Sequence, residues 1–202
     1  MEEASIFDEF EFGASWTQNE SMERCSHALI ANSRAWLIDP VDSAGDVERA
    51  VGDAEPAGVI QLLDRHNRDC AGVAERLGVP HLRLPHELGG SPFEVFSVIN
   101  RPKWREVGLW WPERRALVVS ESLGTSAAFA VGDTGVMVHP LVRLVPPTAP
   151  RRYPRAEHLL PGHGRPLHAP DTGARVARAL GHARRDIPRM LLRLPSIALG
   201  SR

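Results

Sequence analysis

The sequence predicts a mixed α+β protein built from two β-sheets with helices packed on their outer faces. Three observations carry this expectation. Short apolar runs bounded by turn residues recur through both halves of the chain. Segments of helical composition stand between those runs, which suits sheets covered by helices. The composition, 43% hydrophobic and 24% charged over 202 residues, is that of an ordinary globular core and surface.

In chain order, Phe7, Phe10 and Phe12 lie in an acidic run that reads as an edge strand. The run 27–38 (HALIANSRAWLI) reads as two short strands around a turn at Asn32 and Ser33, ending at Asp39-Pro40. Residues 46–54 have helical composition, with Asp42 or Ser43 as the starting cap and Pro56-Ala57-Gly58 as the stop. The apolar run 59–63 (VIQLL) suits a buried strand. Residues 69–77 space Ala71, Ala74 and Leu77 as a short helix, and Gly78 ends it.

The second half repeats this rhythm. Residues 93–99 alternate as a strand, and 107–111 with 116–120 form a hairpin across Pro112–Arg115. Residues 136–139 make a further short strand. A proline-rich stretch over 145–154 leads to His158–Leu160 and the tight turn Pro161-Gly162-His163-Gly164. Asp171 or Thr172 starts a last helix with Val176, Ala179, Leu180, Ala183 and Ile187 on one face, and Pro188 limits it.

The length points to one domain over 1–202, with an acidic N-terminal segment 1–23 and an apolar, basic tail 188–202. No stretch approaches the ~20 apolar residues a membrane span requires. The first 23 residues hold seven acids and no base, the opposite of a targeting signal, so a cytoplasmic location is expected. Cys25 and Cys70 are too few for a disulfide framework. Eleven arginines fall between Arg151 and Arg202; they could bind phosphates or nucleic acid. The scarcity of stacking aromatics there favours solvated charge, or pairing with the acidic N-terminus, so nucleic acid is not the expected partner. The apolar tail 190–199 leaves a homo-oligomer open.

Three segments each follow an apolar strand and end in a polar cluster: Leu62–Gly72, Val118–Leu123 and Leu159–Pro166. Taken in order, and with the early Leu37-Ile38-Asp39-Pro40, they resemble the signature of the metallo-β-lactamase superfamily. That signature is a strand, then Thr-His-x-His-x-Asp-His-x-Gly and a helix, a lone His, a strand ending in Asp, and a last His in a Pro-Gly-His-Gly loop. The resemblance covers nearly the whole chain and implies a four-layer αββα sandwich.

Aligned without a gap, Asp64 falls on the Thr, Arg65 on the first His and Asn67 on the second. Asp69 keeps the Asp, Cys70 replaces the third His, Glu121 stands for the bridging Asp, and His163 matches the last ligand. The segment 100–104 (NRPKW) lacks the lone His. The family's first metal site is therefore lost, because an arginine keeps its proton and repels a cation. The second site would retain Asp69, Cys70, Glu121 and His163, a donor set that suits one divalent metal, zinc above others.

The residues also allow plainer roles. Cys70 can pack in a core, Asp69 can cap its helix, and Glu121 can pair with Arg65 in the vacated position. His66 falls on a non-ligand position, and His27, His139 and the remaining histidines show no motif spacing. A Cys70–His163 nucleophile pair lacks an orienting third group. Gly132–Gly135 reads as a hairpin turn, and Ser120-Glu121-Ser122 lacks the glycines of a nucleophile elbow.

Two functions follow. The favoured one is a non-catalytic member whose cleft carries Arg65, His66, Asn67 and Arg68, with Arg101 nearby, and takes a small anionic ligand. The alternative is a single-metal hydrolase of an ester, thioester or lactone using Asp69, Cys70, Glu121 and His163.

Overall fold

The computed structural model describes residues 5–43, 45–66, 68–130 and 135–192. Asn67, most of the turn 132–135 and the end of the tail 190–199 lie outside these residues. The first half builds a six-stranded sheet in sequence order from β1 (Ile6–Phe10), β2 (Gly13–Thr17), β3 (Cys25–Ala31), β4 (Arg34–Ile38), β5 (Glu55–Gln61) and β6 (His81–Arg83). The first four strands are antiparallel, and β4, β5 and β6 run parallel. Parallel neighbours need crossovers, which α1 (Asp46–Val51) and α2 (Cys70–Leu77) provide.

The second half supplies β7 (Glu94–Arg101), β8 (Trp104–Trp111), β9 (Ala116–Val119), a small ribbon of β10 (Leu123–Gly124) and β11 (Met137–Val138), then β12 (His158–Pro161) and β13 (Leu167–His168). Its five-stranded sheet has the order β13-β12-β9-β8-β7, with β9 and β12 parallel. Two more helices, α3 (Ala127–Ala130) and α4 (Thr172–His182), complete the elements.

Side-chain alternation sorts the strands into layers. Trp36, Ile38, Ile60 and Leu29 of the first sheet meet Leu109, Trp111, Val118 and Leu160 of the second, forming the inner core. Their neighbours one residue away turn outward. Ala28, Leu37 and Val59 pack on Val47, Ala50 and Val73 of α1 and α2. Leu117, Val119 and Leu159 pack on Val176, Ala179 and Leu180 of α4. A period of two therefore feeds opposite faces of each sheet, and the layers are the expected α-β-β-α.

Several local expectations change. Pro56 and Gly58 do not close α1, which stops at Gly52 with a positive φ of 54°; they lie inside β5. There a bulge opposite Ala35 and Trp36 accommodates the strand, and a side chain at position 58 would press on the Trp36 ring. The residue capping α1 is Gly45, while the Ser43 hydroxyl donates to the Asp46 carboxylate at 2.9 Å. The short strands β6 and β13 were not foreseen, having only three and two residues. The acidic N-terminal strand is neutralised by ion pairs of Asp8 with Arg165, Glu9 with Arg49 and Glu11 with Arg114. Among the described residues no helix is long and apolar enough to cross a membrane.

Candidate functional site

The chain leaves β4, β5, β9 and β12 at one end of the sandwich, where the carboxyl ends of two parallel pairs converge, β4 with β5 and β9 with β12. Such an edge gathers loop residues that no sheet hydrogen bond has claimed. It brings together Asp39, His66, Ser120, Glu121 and His163.

Asp39 connects the two sheets. Just past β4, in the left-handed region (φ 43°) that a short polar side chain tolerates, its Oδ1 accepts from the Leu62 N–H at 3.0 Å. Its Oδ2 accepts from the Ser120 hydroxyl at 2.7 Å. Burial pushes this carboxyl up, but hydrogen bonding and the nearby His66 and Arg68 outweigh it and hold it below the usual carboxylate range.

His66 follows a tight turn in which its N–H donates to the Leu63 carbonyl, and that turn aims its ring inward. His66 Nδ1 lies 2.8 Å from Ser120 Oγ. The single Ser120 proton is committed to the Asp39 carboxylate, so Nδ1 must be the donor to Oγ, and in the neutral ring Nε2 carries a lone pair. His163 Nδ1 lies 2.8 Å from the Met22 carbonyl, which only accepts. Its Nε2 therefore carries a lone pair as well. These two Nε2 atoms are 3.4 Å apart. Glu121 Oε1 lies 3.9 Å from His66 Nε2, and the three residues place one ligand atom each within 4.8 Å of one another. Two lone pairs and a carboxylate converge on one point.

The Glu121 carboxylate divides its oxygens. Oε2 accepts from Arg65 Nη2 at 2.9 Å, and that guanidinium lies 3.8 Å above the Trp104 ring. Oε1 is left facing the histidines and His139 Nε2, 3.6 Å away. His139 Nδ1 accepts from the Leu141 N–H, so its Nε2 carries the proton and points to Glu121 as a donor rather than a ligand. Burial lowers both His139 and His163 to about 4, with Arg68 adding to the effect at His163, so both are neutral near pH 7.

A buried acid, Glu106, holds the turn that carries Glu121. Its carboxylate accepts from the N–H groups of Ser120, Glu121 and Ser122, from the Ser122 hydroxyl at 2.8 Å and from the Trp104 indole. Burial pushes its carboxyl above the usual range, opposed by these hydrogen bonds.

The four expected metal positions separate in space. Glu121 and His163 come together, and His66 completes their group in place of Asp69 and Cys70. Cys70 is fully buried among Val47, Val73 and Val59 in the outer core, where burial pushes its thiol far up. Asp69 stands at the start of α2, but its carboxylate accepts from the Asp42 N–H at 2.9 Å. Of the arginines assigned to the cleft, Arg65 lines it. Arg68 donates instead to the carbonyls of Cys25, Asp39 and Gly162, fastening both sheets, and Arg101 donates to the Val145 carbonyl. Asn67 lies outside the described residues. His66 was expected in the cleft but not among the metal ligands, and His139, Ser120 and Glu106 are the residues sequence reasoning passed over as participants. Glu106 had one signal: it is an acid at an alternate position shared with Trp104, Gly108 and Trp110, none of them charged.

No family model matches the chain, and no curated protein matches it in sequence. Solved structures do. A metallo-β-lactamase from Pontibacter korlensis superposes with a TM-score of 0.63 at 13% identity, covering 89% of this chain and 99% of that one. DIM-1 metallo-β-lactamase exposed to ceftazidime gives 0.62 at 15%, covering 90% and 97%. TMB-1 gives 0.57 at 16%, covering 92% and 98%. The fold is that of the metallo-β-lactamases. At these identities the likeness concerns the fold alone.

Proposed function

We propose that this metallo-β-lactamase-fold chain is a hydrolase reduced to a single divalent-metal centre held by His66, Glu121 and His163. The observation that carries this reading is the pair of Nε2 lone pairs 3.4 Å apart beside a carboxylate. Such an arrangement is repulsive unless a cation lies between them. With His163 neutral near pH 7 because it is buried, that cation is a metal ion or a proton on His66 Nε2, and metal analysis separates the two. Two imidazoles and one carboxylate are a donor set found at catalytic zinc, and three ligands leave a coordination position open. When bound, such a cation supplies Lewis-acid polarisation of a carbonyl and a nucleophile active at neutral pH. The substrate class is an ester, thioester or lactone.

The protein's own groups prepare the site. Asp39 fixes the Ser120 hydroxyl, and Ser120 and the Met22 carbonyl fix the two imidazole tautomers. His139 donates toward Glu121 Oε1 and steadies the carboxylate. Arg65, 41% exposed at the rim, presents a positive edge to an anionic substrate or leaving group.

The second reading, a non-catalytic ligand-binding protein, is favoured by that same Arg65–Glu121 pair stacked on Trp104, since an ion pair can take the place of a metal. It ranks second because Arg65 engages only Oε2. Hydrolysis of 4-nitrophenyl acetate by metal-stripped protein, before and after adding zinc, separates the two. Zinc-dependent turnover that is lost in His163→Ala supports the hydrolase. Absence of turnover at one bound equivalent leaves the binding protein.

A further inference from the structure

A second concavity is lined by none of His66, Glu121 and His163. It is a cavity of about 600 Å³ between the segment following β6 and the β7–β8 hairpin. Small-molecule pockets fall in this size range. Its polar lining includes Arg83, His86 and Arg105, and its apolar lining includes Phe96, Ile99 and Val107. Glu106 also borders it, but that carboxylate is fully buried and spent on the turn at 120–122, so it offers no opposing charge to the cavity.

Both arginines meet one acid. Arg83 Nη2 donates to the Asp64 carbonyl at 2.5 Å, and Arg105 Nε lies 3.5 Å from Asp64 Oδ2. One carboxylate against two guanidinium groups leaves a positive charge over. Arg105 is well exposed, and its 3.5 Å approach to Asp64 is a loose contact that a better acceptor could replace.

We propose that this cavity binds a small organic carboxylate with an apolar body, its head held between Arg83 and Arg105 and its body against Phe96 and Val107. Planar guanidinium groups match a carboxylate with paired hydrogen bonds, and the apolar wall excludes a bare inorganic anion as the preferred ligand. The site needs no metal, and none of the proposed metal ligands lines it.

The test uses the full chain in excess chelator and two fluorescent probes of one shape, 1-naphthylacetate and its neutral amide, 1-naphthylacetamide. The acid binds about tenfold tighter than the amide. Arg105→Gln, at an exposed position, removes that preference while leaving the amide's affinity and the thermal midpoint unchanged; Arg83→Gln acts in the same direction. Equal affinity for acid and amide, no binding of either, or an Arg105→Gln protein that keeps the preference overturns the proposal. Binding of the acid that appears only with added zinc and vanishes in His163→Ala also overturns it, because the probe would then be reading the metal centre.

Discussion

Arg65 and Glu106 act on the same carboxylate-bearing turn from opposite sides. Arg65 holds Glu121 from solvent, a cation 2.9 Å from Oε2 on the same carboxylate whose Oε1 faces the proposed metal position. Removing it lowers the positive potential at the site, so Arg65→Ala tightens zinc affinity by about two- to fivefold, the scale of an exposed pair. A competitive zinc titration reads this directly; weaker binding would show that Arg65 instead orients Glu121. Glu106 holds the turn from inside. In Glu106→Gln one acceptor oxygen becomes an amide donor facing backbone N–H groups, which costs about 2–4 kcal/mol in urea unfolding. Zinc affinity falls with it, since Glu121 loses its fixed place. An unchanged urea midpoint would contradict this role.

At the scale of elements, the segment Pro161-Gly162-His163-Gly164 depends on close backbone contact. A Cβ at Gly162 would lie 2.3 Å from the Ser120 carbonyl oxygen. Gly162→Ala must therefore shift the β12 exit away from the β9 exit, and the expected cost is about 2–3 kcal/mol with loss of zinc binding. A variant as stable as the parent would show that the two exits are free to part.

His27 links β3 to the same segment. Its Nε2 donates to the Pro161 carbonyl at 3.0 Å, and its Nδ1 accepts from Ser15 Oγ. Burial lowers it to about 3, against an ordinary value near 6.5. Below about pH 6.5 the unfolded chain takes up a proton that the native state refuses, so stability falls as pH drops toward the native value. Between pH 7 and 5 this residue accounts for a loss of about 2 kcal/mol. His27→Gln should flatten that part of the pH–stability curve; an unaltered slope would show that His27 is not its source.

For the molecule as a whole, the layers were legible because alternating apolar residues such as Leu117, Val118 and Val119 report directly on which face is buried. The order of strands and the positions of Glu121 and His163 were legible through the loops that follow them. What could not be read was direction within the loop 64–69. An ungapped comparison gives each residue its counterpart's orientation, whereas the tight turn at 63–66 sends His66 inward and Arg65 out over Trp104. Cys70 shows the same limit. A residue able to bind metal enters the first turn of α2, and only the packing of that helix on the sheet tells which way its thiol faces. Glu106 in β8 and His139 just past β11 reach the site through pairings that no local pattern encodes.

Which residues hold the cation is decided by metal analysis of three proteins. The parent should carry roughly one equivalent of zinc, His66→Ala should lose it, and Cys70→Ser should retain it. A parent that takes up no metal, or a protein that loses zinc with Cys70→Ser and keeps it with His66→Ala, would contradict the centre described here.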